Sequence, residues 1–222
     1  MKIVVCIKQV PDTTVIKINP VTGTLIRDGV PSIMNPDDKG GLEVALQLKD
    51  KYGAHVTVIT MGPPQADLIL REAYAMGADK AILLTGREFG GADTLATSHT
   101  IAAALKNLEY DLIIAGRQAI DGDTAQVGPQ IAEHLGLPQI SYVAGLEMKD
   151  GKYIVKKETE EGYQMLEVAG PALLTVLASG FKARYMSVGG IVEAYKKDVE
   201  VWGVEKVDLP VEMLGLKGSG TK

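Results

Sequence analysis

YDLIIAGRQAIDGDTAQVGPQIAEHLGL, residues 110–137, indicates the fold class of this chain. An apolar run from Tyr110 to Ala115 leads into a loop rich in glycine and aspartate, and Val127 to Leu135 then carries apolar residues at helical spacing. A continuous apolar run bounded by polar residues is typical of a strand that is buried on both faces, as in parallel sheets. The stretch therefore predicts one strand–loop–helix unit of an α/β protein.

The same unit occurs three more times towards the N-terminus. Apolar runs predict strands at 3–7, 55–61 and 80–85, and helical spacing predicts a helix that begins at Pro36 and helices at 68–76 and 92–108. Because strand and helix alternate four times, the expected fold class is α/β: a doubly wound, mostly parallel sheet of the Rossmann-like, adenine-nucleotide-binding type.

The start of the first helix has a clear signature. Asn35 is expected to be its N-cap, Pro36 occupies the first helical position, and Asp37 and Asp38 place two acids in the first turn. Each of these residue types is favoured at that position by the free N–H groups and the positive end of a helix. The sequence therefore predicts a helix start just beyond the first strand.

The alternation of predicted strands and helices ends at Pro138. Strands are predicted at 152–156, 163–168 and 172–177, separated by short charged or glycine turns, and we interpret them as an antiparallel extension of the sheet. A surface hairpin is predicted at 15–28. Residues 1–193 are expected to form one α/β nucleotide-binding domain, and 194–222 a C-terminal arm with no core of its own.

Composition excludes several classes of function. The chain has 222 residues and a formal net charge of -5, which argues against nucleic-acid binding. No stretch approaches the roughly 20 apolar residues of a membrane helix, so no membrane insertion is expected. With Cys6 as the single cysteine no intramolecular disulfide can form, which fits a cytoplasmic location. The three histidines are scattered, so no metal site is expected.

The loop within residues 110–137 is the main candidate site. Gly122 and Gly128 allow a ligand to approach the backbone, and Thr124 to Val127 can present consecutive N–H groups to a phosphate at a helix N-terminus. Asp121 and Asp123 can cap the turn or bind ribose hydroxyls. The alternative is a purely structural, acidic capped turn. The loop lacks the Gly-Lys-Ser/Thr of a Walker A motif.

Two further segments have a functional and a structural interpretation. Asp93 or Thr94 can cap the third helix, and Thr94 and Thr97 lie one turn apart, where their hydroxyls could meet a flavin or a phosphate; a plain capped helix is the alternative. Residues 184–190 place an apolar tip beside glycines, which favours either a partner-docking site or an ordinary surface turn.

The motifs together resemble the beta subunit of electron-transfer flavoproteins. The resemblance covers nearly the whole chain, and the segments that carry it are MKIVVCIKQVPDT (1–13), MNP (34–36), TMGP (60–63), AMGAD (75–79), GRQAIDGDTAQVGPQIAEHLGL (116–137) and RYMS (184–187). It implies a doubly wound α/β chain that pairs with an alpha subunit, which carries an FAD of its own. The C-terminal arm would contact that subunit.

The resemblance implies a redox carrier and leaves open whether this chain is itself an enzyme. Residues 121–128 and 91–98 are similar to the electron-bifurcating type, whose beta subunit holds a second FAD that takes hydride from NADH. Electrons would pass to the alpha-subunit FAD and a dehydrogenase such as an acyl-CoA dehydrogenase, and to ferredoxin or flavodoxin. The alternatives are a non-bifurcating beta subunit that holds AMP as a structural ligand, and a nucleotide-binding regulatory module that works alone.

The resemblance also assigns site residues. Its nucleotide contacts fall on Cys6, Asn35, Pro36, Asp37, Asp38, Met61, Gly116, Asp121, Gly122, Asp123, Thr124, Ala125, Gln126, Val127 and Gly128, with Thr94 and Thr97 lining the flavin. Partner docking falls on the apolar tip, at Arg184, Tyr185 and Val188. It names no catalytic side chain and no metal ligand.

Overall fold

Strands and helices alternate along the chain as far as residue 135, in agreement with the sequence. The computed structural model describes residues 1–12 and 31–221, and the hairpin predicted at 15–28 lies outside these residues. The strands are β1 Lys2–Cys6, β2 Gln9–Pro11, β3 Ser32–Met34, β4 His55–Met61, β5 Lys80–Leu84, β6 Leu112–Gly116, β7 Gln139–Lys149, β8 Lys152–Thr159, β9 Gly162–Val168, β10 Ala172–Val176 and β11 Glu200–Trp202. The helices are α1 Pro36–Tyr52, α2 Asp67–Met76, α3 Thr94–Leu105, α4 Val127–Leu135, α5 Val188–Ala194 and α6 Gly215–Gly218.

One large sheet organises the described residues. Its strand order is β11-β5-β4-β1-β6-β10-β7-β8-β9, and the pairs from β11 to β7 are all parallel. β7, β8 and β9 pair antiparallel at one end, and β2 and β3 form a small separate antiparallel pair. The predicted fold class, a mostly parallel α/β sheet with an antiparallel extension, is confirmed.

Both faces of the parallel sheet are covered by helices. Ile3 and Val5 of β1 face the core that α1 and α2 complete, whereas Val4 and Cys6 face the core that α3 and α4 complete. All four side chains are buried, and burying such a side chain contributes about 1.5–3 kcal/mol. Successive strand residues point to opposite faces, so a strand that is covered on both sides has to be apolar throughout.

The placement of one predicted strand is wrong. Residues 172–177 were expected in the antiparallel extension, but β10 lies between β6 and β7 and is parallel to both. Its five residues are all buried, which is the pattern of a central parallel strand. β7, which no sequence pattern predicted, pairs with the other edge of β10. The β7–β8 register shifts near Gly145, and Tyr142 of β7 has a positive φ of 61°.

The C-terminal segment packs against the rest of the molecule. β11 pairs with β5 at the edge of the sheet, and Trp202, Val207 and Leu214 are buried in the core beneath α3 and α4. These buried residues complete one core of the sheet. The domain boundary at 193 and the contact with an alpha subunit remain predictions.

Candidate functional site

A cleft of about 960 Å³ lies at the carboxyl ends of β1, β4, β5 and β6. Chain order reverses between β1 and β6, because β4 and β5 lie on one side of β1 and β6 on the other. Ligands of open α/β sheets bind at such a reversal. The predicted loops at 62–64, 86–92 and 116–126 all contribute, and the apolar lining includes Cys6, Ile59, Met61, Phe89, Ile101, Ala115 and Ile131.

Asp38 joins the diverging ends of β1 and β6 beside the cleft. One carboxylate oxygen accepts a hydrogen bond from the backbone N–H of Lys8 at 2.7 Å, and the other accepts one from Gly116 at 3.0 Å. Burial raises the pKa of Asp38 to about 7, although its hydrogen bonds act in the opposite direction. The predicted first-turn acid therefore serves as the link between the two strands that flank the switch point.

Gly116 is required by the position of that carboxylate. A Cβ atom at this position would lie 2.2 Å from Oδ1 of Asp38 and 2.7 Å from its backbone nitrogen. No side chain fits at that distance, so any larger residue would displace the link between β1 and β6. The resemblance named Gly116 as a nucleotide contact, and the structure adds a steric reason for glycine there.

Asn35 occupies the N-cap position of α1 as predicted, but its side chain makes other contacts. Its side chain makes no cap hydrogen bond to α1, although the helix does begin at Pro36 as predicted. Instead, Nδ2 donates to the carbonyl of Gln118 at 2.8 Å, and Oδ1 accepts from the N–H of Ile120 at 3.1 Å. Asn35 is fully buried, and an amide can satisfy both a carbonyl and an N–H group. It therefore fixes the loop that follows β6.

The backbone between this loop and α4 presents free hydrogen-bond donors. Among the described residues, no protein group accepts a hydrogen bond from the N–H groups of Thr124, Ala125, Gln126, Val127 or Gly128, and the N-cap Gln126 makes no side-chain cap. All five residues line the cleft. Free N–H groups at a helix start, together with the helix dipole, bind anions. This arrangement can hold a phosphate or pyrophosphate group.

Two residues of the same loop have an unusual backbone. Asp123 and Ala125 have φ values of 53° and 52°, a left-handed region that costs a residue other than glycine about 1–3 kcal/mol. The two left-handed residues direct the chain from the loop into α4. Strain of this kind is concentrated at ligand-binding segments, because only a required geometry retains it.

The two glycines of the loop differ in their surroundings. A Cβ at Gly122 would meet nothing within 4 Å, so this glycine faces open space in the cleft. A Cβ at Gly128 would lie 2.6 Å from Cγ2 of Thr175 on β10. That both glycines let a ligand approach the backbone stays a prediction. For Gly128 the structure adds a second reason for glycine, which is close packing of α4 on the sheet.

The two loop aspartates have partners within the chain. Lys8 Nζ lies 2.8 and 2.9 Å from the carboxylate oxygens of Asp121, which does not line the cleft. Asp123 lines the cleft and accepts a hydrogen bond from the side-chain amide of Gln118. Both carboxylates therefore stabilise the conformation of the loop, and their predicted contact with ribose hydroxyls stays a prediction.

The start of α3 also lines the cleft, beside the start of α4. Asp93 caps the helix as predicted, since its Oδ1 accepts from the N–H of Ala96 at 3.0 Å. Thr94 and Thr97 both line the cleft, and the hydroxyl of Thr94 donates to Oε1 of Gln126 at 3.1 Å. This hydrogen bond joins the start of α3 directly to the start of α4.

The structure brings most of the predicted cofactor residues to one place. Those that line the cleft are Cys6, Asp38, Met61, Thr94, Thr97, Gly116, Gly122, Asp123, Thr124, Ala125, Gln126, Val127 and Gly128. Those that do not are Asn35, Pro36, Asp37 and Asp121. Asp37 accepts a hydrogen bond from the N–H of Ala178 at 2.9 Å, so it ties the start of α1 to the segment that follows β10.

Cys6 and the cations of the cleft complete the description. Burial raises the pKa of the Cys6 thiol to about 12, so it is an apolar wall residue and not a nucleophile. Sequence analysis did not single out Lys8, Arg87 or Arg117, which also line the cleft. In the sequence each of these residues stands in a loop without a recognisable motif, and only the topology brings the three together.

The predicted docking residues have different environments. Tyr185 is 90% exposed and Val188 80% exposed, at the apolar tip that begins α5. Arg184 is held within the chain: its Nε lies 2.9 Å from Glu43 of α1, and a terminal nitrogen lies 2.8 Å from Asp50. Arg184 therefore anchors the tip to α1, and Tyr185 and Val188 are the side chains that are free to meet a partner.

Two histidines that are distant in sequence meet between α3 and α4. The ring centroids of His99 and His134 lie 4.0 Å apart, and His134 Nε2 lies 3.2 Å from the hydroxyl of Ser98. In residues 1–12 and 31–221 no group of three or more His, Cys, Asp or Glu side chains is arranged to hold a metal ion. None of the described helices has the length and apolar character needed to cross a membrane.

Comparison with known proteins gives one consistent result. Residues 22–207 match the electron transfer flavoprotein domain. The chain is 62% identical over 222 residues to the electron transfer flavoprotein subunit beta of Clostridium acetobutylicum, covering all of this chain and 86% of that protein. It is 54% identical over 224 residues to the caffeyl-CoA reductase-Etf complex subunit CarD of Acetobacterium woodii, and 49% identical over 230 residues to the acryloyl-CoA reductase electron transfer subunit gamma of Anaerotignum propionicum; each match covers all of this chain and 86% of the relative.

Proposed function

The chain belongs to the electron transfer flavoprotein family as a beta subunit, and from that premise we propose that its cleft holds FAD. The observation that carries the proposal is the run of free N–H groups from Thr124 to Gly128, which belong to residues that line the cleft at the start of α4. A pyrophosphate carries the negative charge and the acceptor oxygens that such a run binds. Arg87 lines the same cleft and adds positive charge, whereas the charges of Lys8 and Arg117 are balanced by Asp121 and Asp37.

The size of the cleft favours a dinucleotide over AMP. Its volume of about 960 Å³ lies near the upper limit of the roughly 300–1,000 Å³ typical of small-molecule pockets. The N–H groups of 124–128 belong to residues of the lining, and Thr94 and Thr97 of α3 line the cleft beside them, with the Thr94 hydroxyl bonded to Gln126. A nucleotide whose pyrophosphate sits at α4 therefore has room for an isoalloxazine ring beside the two threonines.

When bound, FAD would accept a hydride from NADH and pass its two electrons on singly, one to the FAD of the alpha subunit and the other to ferredoxin or flavodoxin. The protein's part is to bind and orient the cofactor. Asp38 and Asn35 hold the β6 loop in place, and the free N–H groups of 124–128 bind the pyrophosphate. The apolar side chains of Ile59, Ile101 and Ile131 exclude water from the ring.

The names of the relatives support one class of redox partner. Two relatives carry the names of caffeyl-CoA and acryloyl-CoA reductases. We therefore assign to the alpha-subunit branch an oxidoreductase of CoA thioesters, such as an acyl-CoA dehydrogenase. The exposed tip of Tyr185 and Val188 is the surface on which this partner would dock.

The test of the proposal is the nucleotide content of the complex. The chain is co-purified with its alpha subunit, the protein is denatured, and the released FAD and AMP are measured for each heterodimer. We expect two FAD and no AMP, followed by NADH-dependent reduction of ferredoxin. One FAD and one AMP would overturn the proposal, and the cleft would then hold a structural mononucleotide without a redox role.

Gly122→Val tests the position of the cofactor. A Cβ at Gly122 meets no protein atom within 4 Å and the residue is not strained, so the chain should fold with unchanged stability, within about 0.5 kcal/mol. The isopropyl group would occupy space next to the pyrophosphate, and we expect the affinity for FAD to fall at least about tenfold. The measurement is flavin retention during gel filtration, together with thermal unfolding.

Gly189→Val is the matched control for this substitution. Gly189 also has nothing within 4 Å of its Cβ position, but it lies on α5, away from the cleft. It should retain FAD as the wild type does. Full retention of FAD by the Gly122 variant would show that the cofactor does not pass this loop.

A further inference from the structure

The C-terminal residues Gly215–Thr221, which we call the strap, lie on the outer side of the cleft wall that precedes α3. The N–H of Leu216 donates to the carbonyl of Gly90 at 2.9 Å. The hydroxyl of Ser219 accepts from the N–H of Asp93 at 2.9 Å. Gly90 and Asp93 both line the cleft, so the strap is hydrogen-bonded to the wall itself.

Asp93 is shared between the strap and α3. Its Oδ1 accepts from the N–H of Ala96 and caps the helix. Its Oδ2 accepts from Thr221 twice, from the backbone N–H at 2.9 Å and from the hydroxyl at 3.0 Å. These hydrogen bonds lower the pKa of Asp93 to about 2, with the bond from Ala96 as the largest cause. One carboxylate thus connects the strap to the helix that carries Thr94 and Thr97.

The sequence of the strap is suited to this close contact. Gly215 has a φ of 53°, and a Cβ there would lie 2.2 Å from the carbonyl oxygen of Glu88. Ser219 is 9% exposed although it lies near the end of the chain. Its hydroxyl also lies 2.9 Å from the carbonyl of Gly215, the acceptor to which it donates. The fitted glycine and the buried, hydrogen-bonded serine show that the strap packs closely against the wall.

We propose that the strap holds the α3 wall of the cleft in place through Ser219, Thr221 and Asp93, and thereby controls how long the cleft retains its nucleotide. Asp93 acts as a positioning residue, because it joins the strap to the cap of α3. The inference about retention rests on FAD binding in the cleft, whereas the inference about the wall does not. A partner that moves the strap would loosen the same wall.

The first experiment tests the wall in the absence of any nucleotide. Hydrogen exchange is measured on the full chain and on the double variant Ser219→Ala/Thr221→Val, with Ser141→Ala as the matched control. Ser141 is a serine of β7 whose hydroxyl donates to the side chain of Gln139 at 2.9 Å. We expect the amides of Ala96 and Thr97 to exchange at least about tenfold faster in the double variant, because a cap that has lost its support opens more often.

The second experiment measures nucleotide retention in the complex with the alpha subunit. We expect FAD to dissociate about tenfold faster from the double variant than from the wild type or the Ser141→Ala control. Thr221→Ser, which keeps the hydroxyl, should restore slow dissociation when Ser219 is present. Circular dichroism and thermal unfolding show whether each variant is folded.

The two experiments separate the possible failures. If only the amides of 216–221 exchange faster while those of Ala96 and Thr97 are unchanged, the strap frays independently and the proposal is overturned. If the wall loosens but FAD dissociates at the wild-type rate, control of retention is overturned. If the denatured wild-type complex yields no FAD from this chain, the proposal that the cleft binds FAD is wrong. The exchange data still decide the role of the strap.

Discussion

At the scale of single residues, Asp38 makes a prediction about pH. Burial raises its pKa to about 7, whereas an aspartate in an unfolded chain titrates near about 3.9. Between these values the folded chain binds a proton that the unfolded chain lacks, so this residue makes stability fall as pH rises from about 4 to 7. Asp38→Asn should remove this dependence. Urea unfolding at pH 5 and pH 7.5 should show a larger loss of stability in the variant at pH 5.

The same substitution has a second effect at this scale. One amide N–H group would face a backbone donor, Lys8 or Gly116, and an unpaired buried donor costs about 1–3 kcal/mol. The variant should therefore be less stable at both pH values. Asp208→Asn, at an exposed aspartate, serves as the control. An equal loss for Asp38→Asn at both pH values would contradict the assignment of the titration to Asp38.

Single-residue contacts were the least predictable part of the site. The sequence indicated that Asn35, Asp38 and Gly116 matter and placed Asn35 at the N-cap, but it did not reveal what the Asn35 side chain contacts. Its true partners, Gln118 and Ile120, lie 83 and 85 residues further along the chain, and no local pattern encodes such a contact. Asp93 was assigned correctly because a helix cap depends on residues only three positions apart.

At the scale of elements, the contact between α3 and α4 is sensitive to protonation. Burial, the charge of His99 and the charge of Lys106 lower the pKa of His134, while Glu133 raises it. The unfolded histidine, with a pKa near about 6.5, binds a proton before the folded one does. The stability due to neutral His134 is thus complete above that value and is lost as pH falls below it. His134→Gln should flatten this slope in thermal unfolding between pH 5 and 7.

A parallel substitution provides the comparison. His55 lies at the exposed start of β4, and His55→Gln is measured alongside for comparison. An unchanged slope in His134→Gln would mean that the histidine pair does not determine the acid sensitivity of the α3–α4 contact.

The start of α5 is the element that should decide partner docking. Val188 is 80% exposed, and Val188→Asp would place a charge on the apolar tip. Electron transfer to the proposed partner oxidoreductase should fall at least about tenfold, because a charge at the centre of an interface is desolvated without a partner. FAD content and thermal stability should not change. Leu68→Asp, at another exposed apolar residue, should transfer electrons normally; an equal loss in both variants would exclude a specific site at the tip.

At the scale of the whole molecule, the parallel core was predictable and its edges were not. Strands β1, β4, β5 and β6 follow from continuous apolar runs, since a strand covered on both faces has no polar alternative. β7 escaped prediction because its half-buried residues lack such a run. β11 has three residues, two of them exposed, and only pairing with β5 makes it a strand.

The cleft as a whole was predictable for a topological reason. Four strand–helix units fix where the chain reverses, so the loops at that edge had to converge. What could not be predicted was the contribution of distant segments: the strap, the cations Lys8, Arg87 and Arg117, and the wedge of β10 against Gly128. Each depends on residues that approach one another only after the sheet has assembled.

The position of β10 has a consequence for synthesis of the chain. β6 and β7 emerge from the ribosome first, but the place between them stays empty until residues 172–176 have been made. During that interval β6 has one unpaired edge, which is open to pairing with another chain. A nascent chain halted within β8 or β9 should therefore depend on chaperones more than one halted just after β10.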